Sequence, residues 1–221
     1  MKVAICFSGQ IRSLDKTFKS IDQLFQNSFE NYKIFAHIPK DKSSSKFNDY
    51  FPSSVTLIEN DQYFIGTKLK ANQFKSVKHK FNSLRKARHA HMLQLYGIFK
   101  ANELKIKYED KHSFKYDWVM RCRSDLKFYS EKININELNN SNVYTANFHQ
   151  FEGINDRLVL SSSENMDIFC DLFNYLKNES IEGFNAETIF KNYMYKKKLI
   201  NKEIDIKFNR IRQDKTELKD F

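Results

Sequence analysis

The stretch YDWVMRCRSDL, Tyr116 to Leu126, reads as a buried strand that ends abruptly in charge. Side chains alternate along a strand, so Trp118, Met120 and Cys122 share one face, and Val119, Arg121 and Arg123 share the other. The charges that follow it, Arg123 and Asp125, fall two residues apart, on one side of the strand's end.

The pattern repeats outward from this strand. Lys2 to Phe7 is a second nearly continuous apolar run, broken by SGQIRSL, which leads into a helix over about Leu14 to Asn27 with Phe18, Ile21 and Phe25 on one face. Tyr32 to His37 and Val55 to Ile58 follow as strands. From Phe74 the apolar residues Phe74, Val77, Phe81, Leu84, Leu95 and Ile98 keep helical spacing, with Arg88 and His91 in the places of two missing members. Gly97 lies inside that helix at a cost of about 1 kcal/mol relative to Ala, which leaves room for a kink or an early end there. Val143 to Ala146 and Leu158 to Leu160 read as strands, and Ser161 with Glu164 as a capping box opening a helix to about Lys177. A helix over roughly Ala186 to Leu199 and a closing strand in IDIKFNRIR complete the series. Apolar runs alternating with helical patterns predict an α/β chain: a single domain over residues 1–221, with a mostly parallel central sheet flanked by helices. Residues 214–221 are expected to form a flexible tail, and disorder is otherwise expected only near Ser43 to Ser45.

Composition agrees with a globular chain. Of 221 residues, 41% are hydrophobic and 15% aromatic, including 21 Phe and 11 Tyr, which predicts a core rich in rings. The opening MKVAICFSGQ lacks the long apolar segment of a signal peptide, and no stretch approaches the length that spans a bilayer. Cys6, Cys122 and Cys170 are odd in number and scattered among apolar neighbours, as expected of reduced cysteines in a cytosolic protein. The formal charge of +10 leaves nucleic acid, an anionic membrane surface and a phosphorylated small molecule open as partners.

In open α/β sheets, ligands bind outside the carboxyl ends of the strands, where helix N-termini and short loops converge. The first strand ends in Ser8, Gly9, Gln10 and Arg12, donors suited to a nucleotide or its phosphates, although any strand-to-helix turn uses such residues. The second ends in His37, for which a structural hydrogen-bonded role is the plainer reading. Arg88 and His91 either face solvent or line a cavity holding an anion. Arg123 and Asp125 could grip a ribose, a phosphate or a divalent metal, or form a salt bridge at the strand end.

KVAICFSGQIRSL, KIFAHI, YDWVMRCRSDL and INDRLVLSSSENMDIF, in this order, resemble bacterial surface-polysaccharide glycosyltransferases of capsule and lipopolysaccharide assembly, which have a GT-A-like fold. The resemblance runs from Met1 to about Phe190 and is best in the aromatic-Asp-Trp-Val strand leading to Arg-x-Asp, where GT-A enzymes carry a DxD-type motif. It implies that Asp125 meets the diphosphate of a nucleotide sugar through Mn2+ or Mg2+. It also implies that Ser8, Gly9, Gln10 and Arg12 lie under the nucleotide, and Asp156 near sugar and acceptor. The chain departs from the pattern at Arg123, which stands where a full DxD has its first carboxylate. It departs again at Ser124, and at Ile38 and Pro39 after the histidine.

The chemistry of such a transfer sets the remaining expectations. Cleaving an anomeric bond leaves a diphosphate that needs positive charge, from a metal or from Arg12, Lys40, Arg88 and Arg123. Inversion needs a carboxylate to deprotonate the acceptor hydroxyl, with Asp156 as first candidate and Glu187 as second. Glu187 also suits a helix start, where its charge meets the dipole. The expected protein is a cytoplasmic enzyme, peripheral on the inner face of the cell membrane, acting on a lipid-linked or oligosaccharide acceptor. Rival classes are a basic nucleic-acid-binding protein using Lys75 to His91, and a transferase of phosphoryl or sulfuryl groups. The sequence has no known nucleic-acid motif and no GxxxxGK[ST] loop.

Overall fold

A computed structural model of the protein describes residues 1–60, 84–183 and 185–221, with side chains for all of these except 84–89. The chain opens with β1 (Val3–Ser8), α1 (Leu14–Ser28), β2 (Tyr32–Pro39), a short α2 (Phe47–Tyr50) and β3 (Val55–Glu59). A long α3 (Leu84–His112) leads to β4 (Trp118–Cys122), β5 (Leu126–Phe128), β6 (Val143–Ala146) and β7 (Leu158–Ser161). The chain then forms α4 (Ser163–Cys170), α5 (Leu172–Asn178), α6 (Ala186–Lys196), β8 (Asn201–Ile204), β9 (Phe208–Ile211) and β10 (Glu217–Leu218).

Seven strands form the central sheet in the order β3-β2-β1-β4-β7-β6-β8. Every neighbouring pair is parallel except those involving β7, which runs against both β4 and β6. A mixed α/β sheet, mostly parallel and flanked by helices, is what the apolar runs predict. The two faces of β4 separate as the alternation requires. Trp118, Met120 and Cys122 join the core under α1 and α2, while Val119 joins the core under α3 to α6. Rings dominate both layers: Phe7 stacks on Phe51 at 5.4 Å between centroids and meets Phe47 edge-on at 5.7 Å. Burying each such ring contributes about 2–3 kcal/mol.

Three local expectations are corrected. Helix α3 runs unbroken through Gly97, because that residue is where the helix crosses the ends of β1 and β2. A Cβ there would lie 3.3 Å from Nδ1 of His37 and 3.4 Å from Cβ of Ser8. The helix after β7 is capped by Ser162, which accepts from the Asn165 amide. Ser161 instead closes the strand and donates to the Asn142 carbonyl. IDIKFNRIR divides between two sheets, its start finishing β8 and its centre forming β9 in a three-stranded antiparallel sheet with β5 and β10. Residues 214–221 contribute β10 and Asp220 to this second sheet. This carboxylate is buried and takes both Nε and Nη2 of Arg210 at 2.7 and 2.9 Å. The basic stretch from Lys75 falls outside the described residues up to its last few positions, where Leu84 opens the described helix.

Candidate functional site

The parallel strands β3, β2, β1 and β4 all point their carboxyl ends at one edge of the sheet, and α3 passes over that edge. Gly9 makes the first turn possible. Its φ of +106° is a conformation that L side chains rarely adopt, and its amide donates to the His37 carbonyl at 3.2 Å. The turn after β4 is pinned from both sides. Ser124 Oγ donates to the Gln10 carbonyl at 2.9 Å, Thr17 Oγ1 donates to the Ser124 carbonyl at 2.6 Å, and the Ile211 amide donates to the Asp125 carbonyl at 2.8 Å.

Between these turns and α3 lies a cleft of about 680 Å³. Its walls include Ser8, Gly9 and Gln10 from the first turn, Lys40 and Asn60 from the ends of β2 and β3, and Gln94 and Gly97 from α3. Arg121, Arg123, Ser124 and Asp125 come from β4 and its turn, and Arg212 from the end of β9. Lys40, Arg121, Arg123 and Arg212 face a single carboxylate, Asp125, among the described lining residues. A smaller hollow of about 450 Å³ lies beside Met1, Lys132 and Glu137, lined by polar groups and by the buried Val3, Phe29, Ile133 and Ile135.

Arg123 and Asp125 form a bidentate pair. Nε donates to Oδ1 at 2.8 Å and Nη2 to Oδ2 at 2.6 Å, and both side chains are partly exposed to the cleft. Burial alone would raise the Asp125 pKa, but the charges of Arg123 and Arg210 and the Arg123 hydrogen bonds outweigh it and hold the carboxylate below its ordinary range. Arg121 is different. Only 2% of it is exposed, Nε and Nη1 have no hydrogen-bond partner, and Nη1 lies 4.0 Å from Asp156 Oδ2. Burial lowers its pKa, with Asp156 opposing.

Asp156 sits behind Gln94 and Arg121, buried, with Oδ2 accepting from Gln94 Nε2. Its loop is set by Asn155, which donates to the Phe148 carbonyl at 2.8 Å and accepts from the Arg157 amide at 3.0 Å. One residue earlier, the Ile154 amide donates to the Glu187 carbonyl at 3.2 Å, which ties this loop to the first turn of α6. Glu187 is half-buried there, and its pKa is raised by burial and then by the charge of Asp156. Helix α6 itself starts from a capping box in which Asn185 and Thr188 satisfy each other's amides. His91 belongs to the same cluster. Burial depresses its pKa to about 4 against the pull of Asp156.

The structure thus gathers Ser8, Gly9, Gln10, Arg123 and Asp125 in one cleft, with Asp156 and Glu187 adjoining it. Arg12 is not there: Nη1 donates to Gln213 Oε1 at 2.8 Å, facing the C-terminal hairpin. Buried His37 lies beneath the cleft, its Nε2 3.0 Å from Glu59 Oε1 and its ring edge against Tyr96. Burial lowers its pKa, with Glu59 opposing. Arg88 lies on α3, outside the described side chains. Gln94 and Arg212 escaped the sequence reading. Nothing in the linear order signals that the end of β9 reaches the cleft, whereas strand alternation did put Arg121 on the same face as Arg123.

A Mn2+ or Mg2+ ion expected at Asp125 needs free carboxylate oxygens. Both oxygens of Asp125 accept from Arg123, and among the described residues no group of three or more metal-ligating side chains occurs. The donor set in the cleft does not fit a divalent ion.

Residues 1–218 match the family described as "Domain of unknown function (DUF7796)". No curated protein matches the sequence. Among solved structures, the apo form of mouse xyloside xylosyltransferase 1 is similar, with a TM-score of 0.48 and 9% identity, over 93% of this chain and 86% of that one.

Proposed function

The chain belongs to the DUF7796 family, and we propose that it is a glycosyltransferase moving a sugar from a nucleotide-sugar donor to a hydroxyl of a surface-glycan acceptor. The observation that carries this reading is the excess of cationic side chains at the carboxyl ends of the parallel strands, beside a pair of electrostatically coupled carboxylates. A leaving diphosphate needs such cations, and an attacking hydroxyl needs such a carboxylate.

In this reading the anomeric carbon–oxygen bond to the diphosphate breaks as the acceptor oxygen bonds to that carbon. Lys40, Arg121, Arg123 and Arg212 take up the charge that collects on the leaving group. The hydroxyl proton passes to Asp156 once Gln94 swings aside, or to Glu187, whose pKa burial raises. Ser8, Gly9 and Gln10 lie where a nucleotide would meet backbone at close range.

Acceptors carried on lipid would bring the enzyme to an anionic leaflet. Lys196, Lys197 and Lys198 form a basic run beside Tyr195, which is 85% exposed, and Ile200, which is 57% exposed. Such a patch suits a negatively charged surface at about 1 kcal/mol per lysine, and sedimentation with phosphatidylserine vesicles would weaken as salt rises. No described helix is long and apolar enough to cross a membrane.

The test is a thermal-shift panel with UDP-, GDP-, CDP- and dTDP-sugars. A ligand at a hundred times its Kd adds about 2.7 kcal/mol, which for a chain of this size is a rise of about 5–10 °C. A shift by one nucleotide class, followed by release of that nucleoside diphosphate with an acceptor, supports the reading. No shift from any class, together with tight binding of an oligonucleotide, would overturn it.

A further inference from the structure

The two arginines that β4 sends into the cleft are not equivalent. Arg123 is already paired with Asp125 through two short hydrogen bonds. Arg121 is buried, yet its Nε and Nη1 are unbonded, and the nearest carboxylate oxygen, 4.0 Å away, already accepts from Gln94. Guanidinium nitrogens withdrawn from water without acceptors destabilise a fold. A cleft-lining residue in that condition is explained when a ligand supplies the acceptor. Arginine suits the task, because its charge is permanent and its planar donors match phosphate oxygens.

We propose that Arg121 is the buried anchor for a phosphate oxyanion in this cleft, and that side-chain cations hold the phosphate charge without a bridging divalent ion. Lys40 and Arg212 line the same cleft and add to the attraction. Asp125 is then a partner that fixes Arg123 and the turn after β4, and its carboxylate does not ligate a metal. The inference takes from the proposed function only the source of the phosphate, a nucleoside diphosphate. Binding itself can be read without any transfer reaction.

The experiment is isothermal titration of the full chain with inorganic pyrophosphate, and in parallel with UDP, GDP, CDP and dTDP, each in EDTA and in Mn2+. The wild type, Arg121→Gln and Arg121→Lys are compared after thermal melts show which variants fold. The expected result is binding in EDTA within about threefold of that in Mn2+, a loss of at least tenfold in Arg121→Gln, and partial retention in Arg121→Lys. If Arg121→Gln fails to fold, Arg121→Lys carries the test, with a loss of at least threefold expected. Tighter binding of one nucleoside diphosphate than of pyrophosphate assigns the phosphate to a nucleotide, and equal binding assigns it to an inorganic or other phosphate; Arg121 keeps its role in both cases. Binding that vanishes in EDTA, an unchanged affinity in the Arg121 variants, or no binding by the wild type would each overturn the proposal. Pyrophosphate binding that depends on Arg121 but brings no nucleotide-sugar turnover would refute the transferase reading alone.

Discussion

His91 makes the stability of this protein depend on pH in a window where few other groups titrate. Its folded pKa is depressed from 6.5 to about 4, chiefly by burial. The unfolded chain therefore binds a proton at higher pH than the folded chain does. Stability from this residue is full above about pH 6.5 and is lost as pH falls toward about 4, since protonation then favours the unfolded state. Between pH 7 and pH 5 the linkage relation with those two values gives a loss of about 2 kcal/mol. Urea unfolding of the wild type and of His91→Gln at both pH values isolates this contribution, because His37 and the carboxylates remain in both proteins. The wild type should lose about 2 kcal/mol more than the variant on going from pH 7 to pH 5. Equal losses in the two proteins, within about 0.5 kcal/mol, would refute the assignment of a buried neutral imidazole beside Asp156.

Lys105 is fully buried, 3.1 Å from the equally buried Glu109 and 2.7 Å from Asp167, so Lys105→Met removes one cation from two carboxylates, of which Glu109 keeps Lys115 at 3.0 Å. A loss of about 1.5–3 kcal/mol is expected, seen as a fall in Tm of at least about 3 °C; a change under about 1 °C would contradict it. Gly9→Ala forces a side chain onto a φ of +106° and should cost at least about 1 kcal/mol by chemical denaturation. It should also weaken nucleotide binding, and unchanged stability would show that the turn relaxes freely. Asp156→Asn should slow turnover by at least a hundredfold with donor affinity within threefold of wild type, and an unchanged rate would remove Asp156 from proton transfer.

Much of the fold was legible because its strands are covered on both sides and its helices on one. Continuous apolar runs marked β1 and β4, and the 3.6-residue period marked α1. Local chemistry misled where tertiary contact overrode it. Gly97 carries the signal of a helix breaker, yet it serves a close approach to His37 and Ser8. Ser161 and Glu164 spell a capping box, yet a hydrogen bond to Asn142 holds Ser161 in the strand. The polar tail lacks an apolar pattern, and no local signal in it announces that Asp220 meets Arg210 and His149.

By itself the sequence determined the class of the fold and the edge of the sheet where charge gathers, because periodicity and strand endings are local properties. It placed Ser8, Gly9, Gln10, Arg123 and Asp125 at that edge through their positions just after apolar runs. Only the tertiary structure decided that Asp125 is bound to Arg123, that Arg12 turns away to the C-terminal hairpin, and that Arg212 arrives from the second sheet. It alone left Arg121 buried with unbonded nitrogens. Which charges pair is decided by distances of a few ångströms between residues far apart in the chain, and no linear pattern records them.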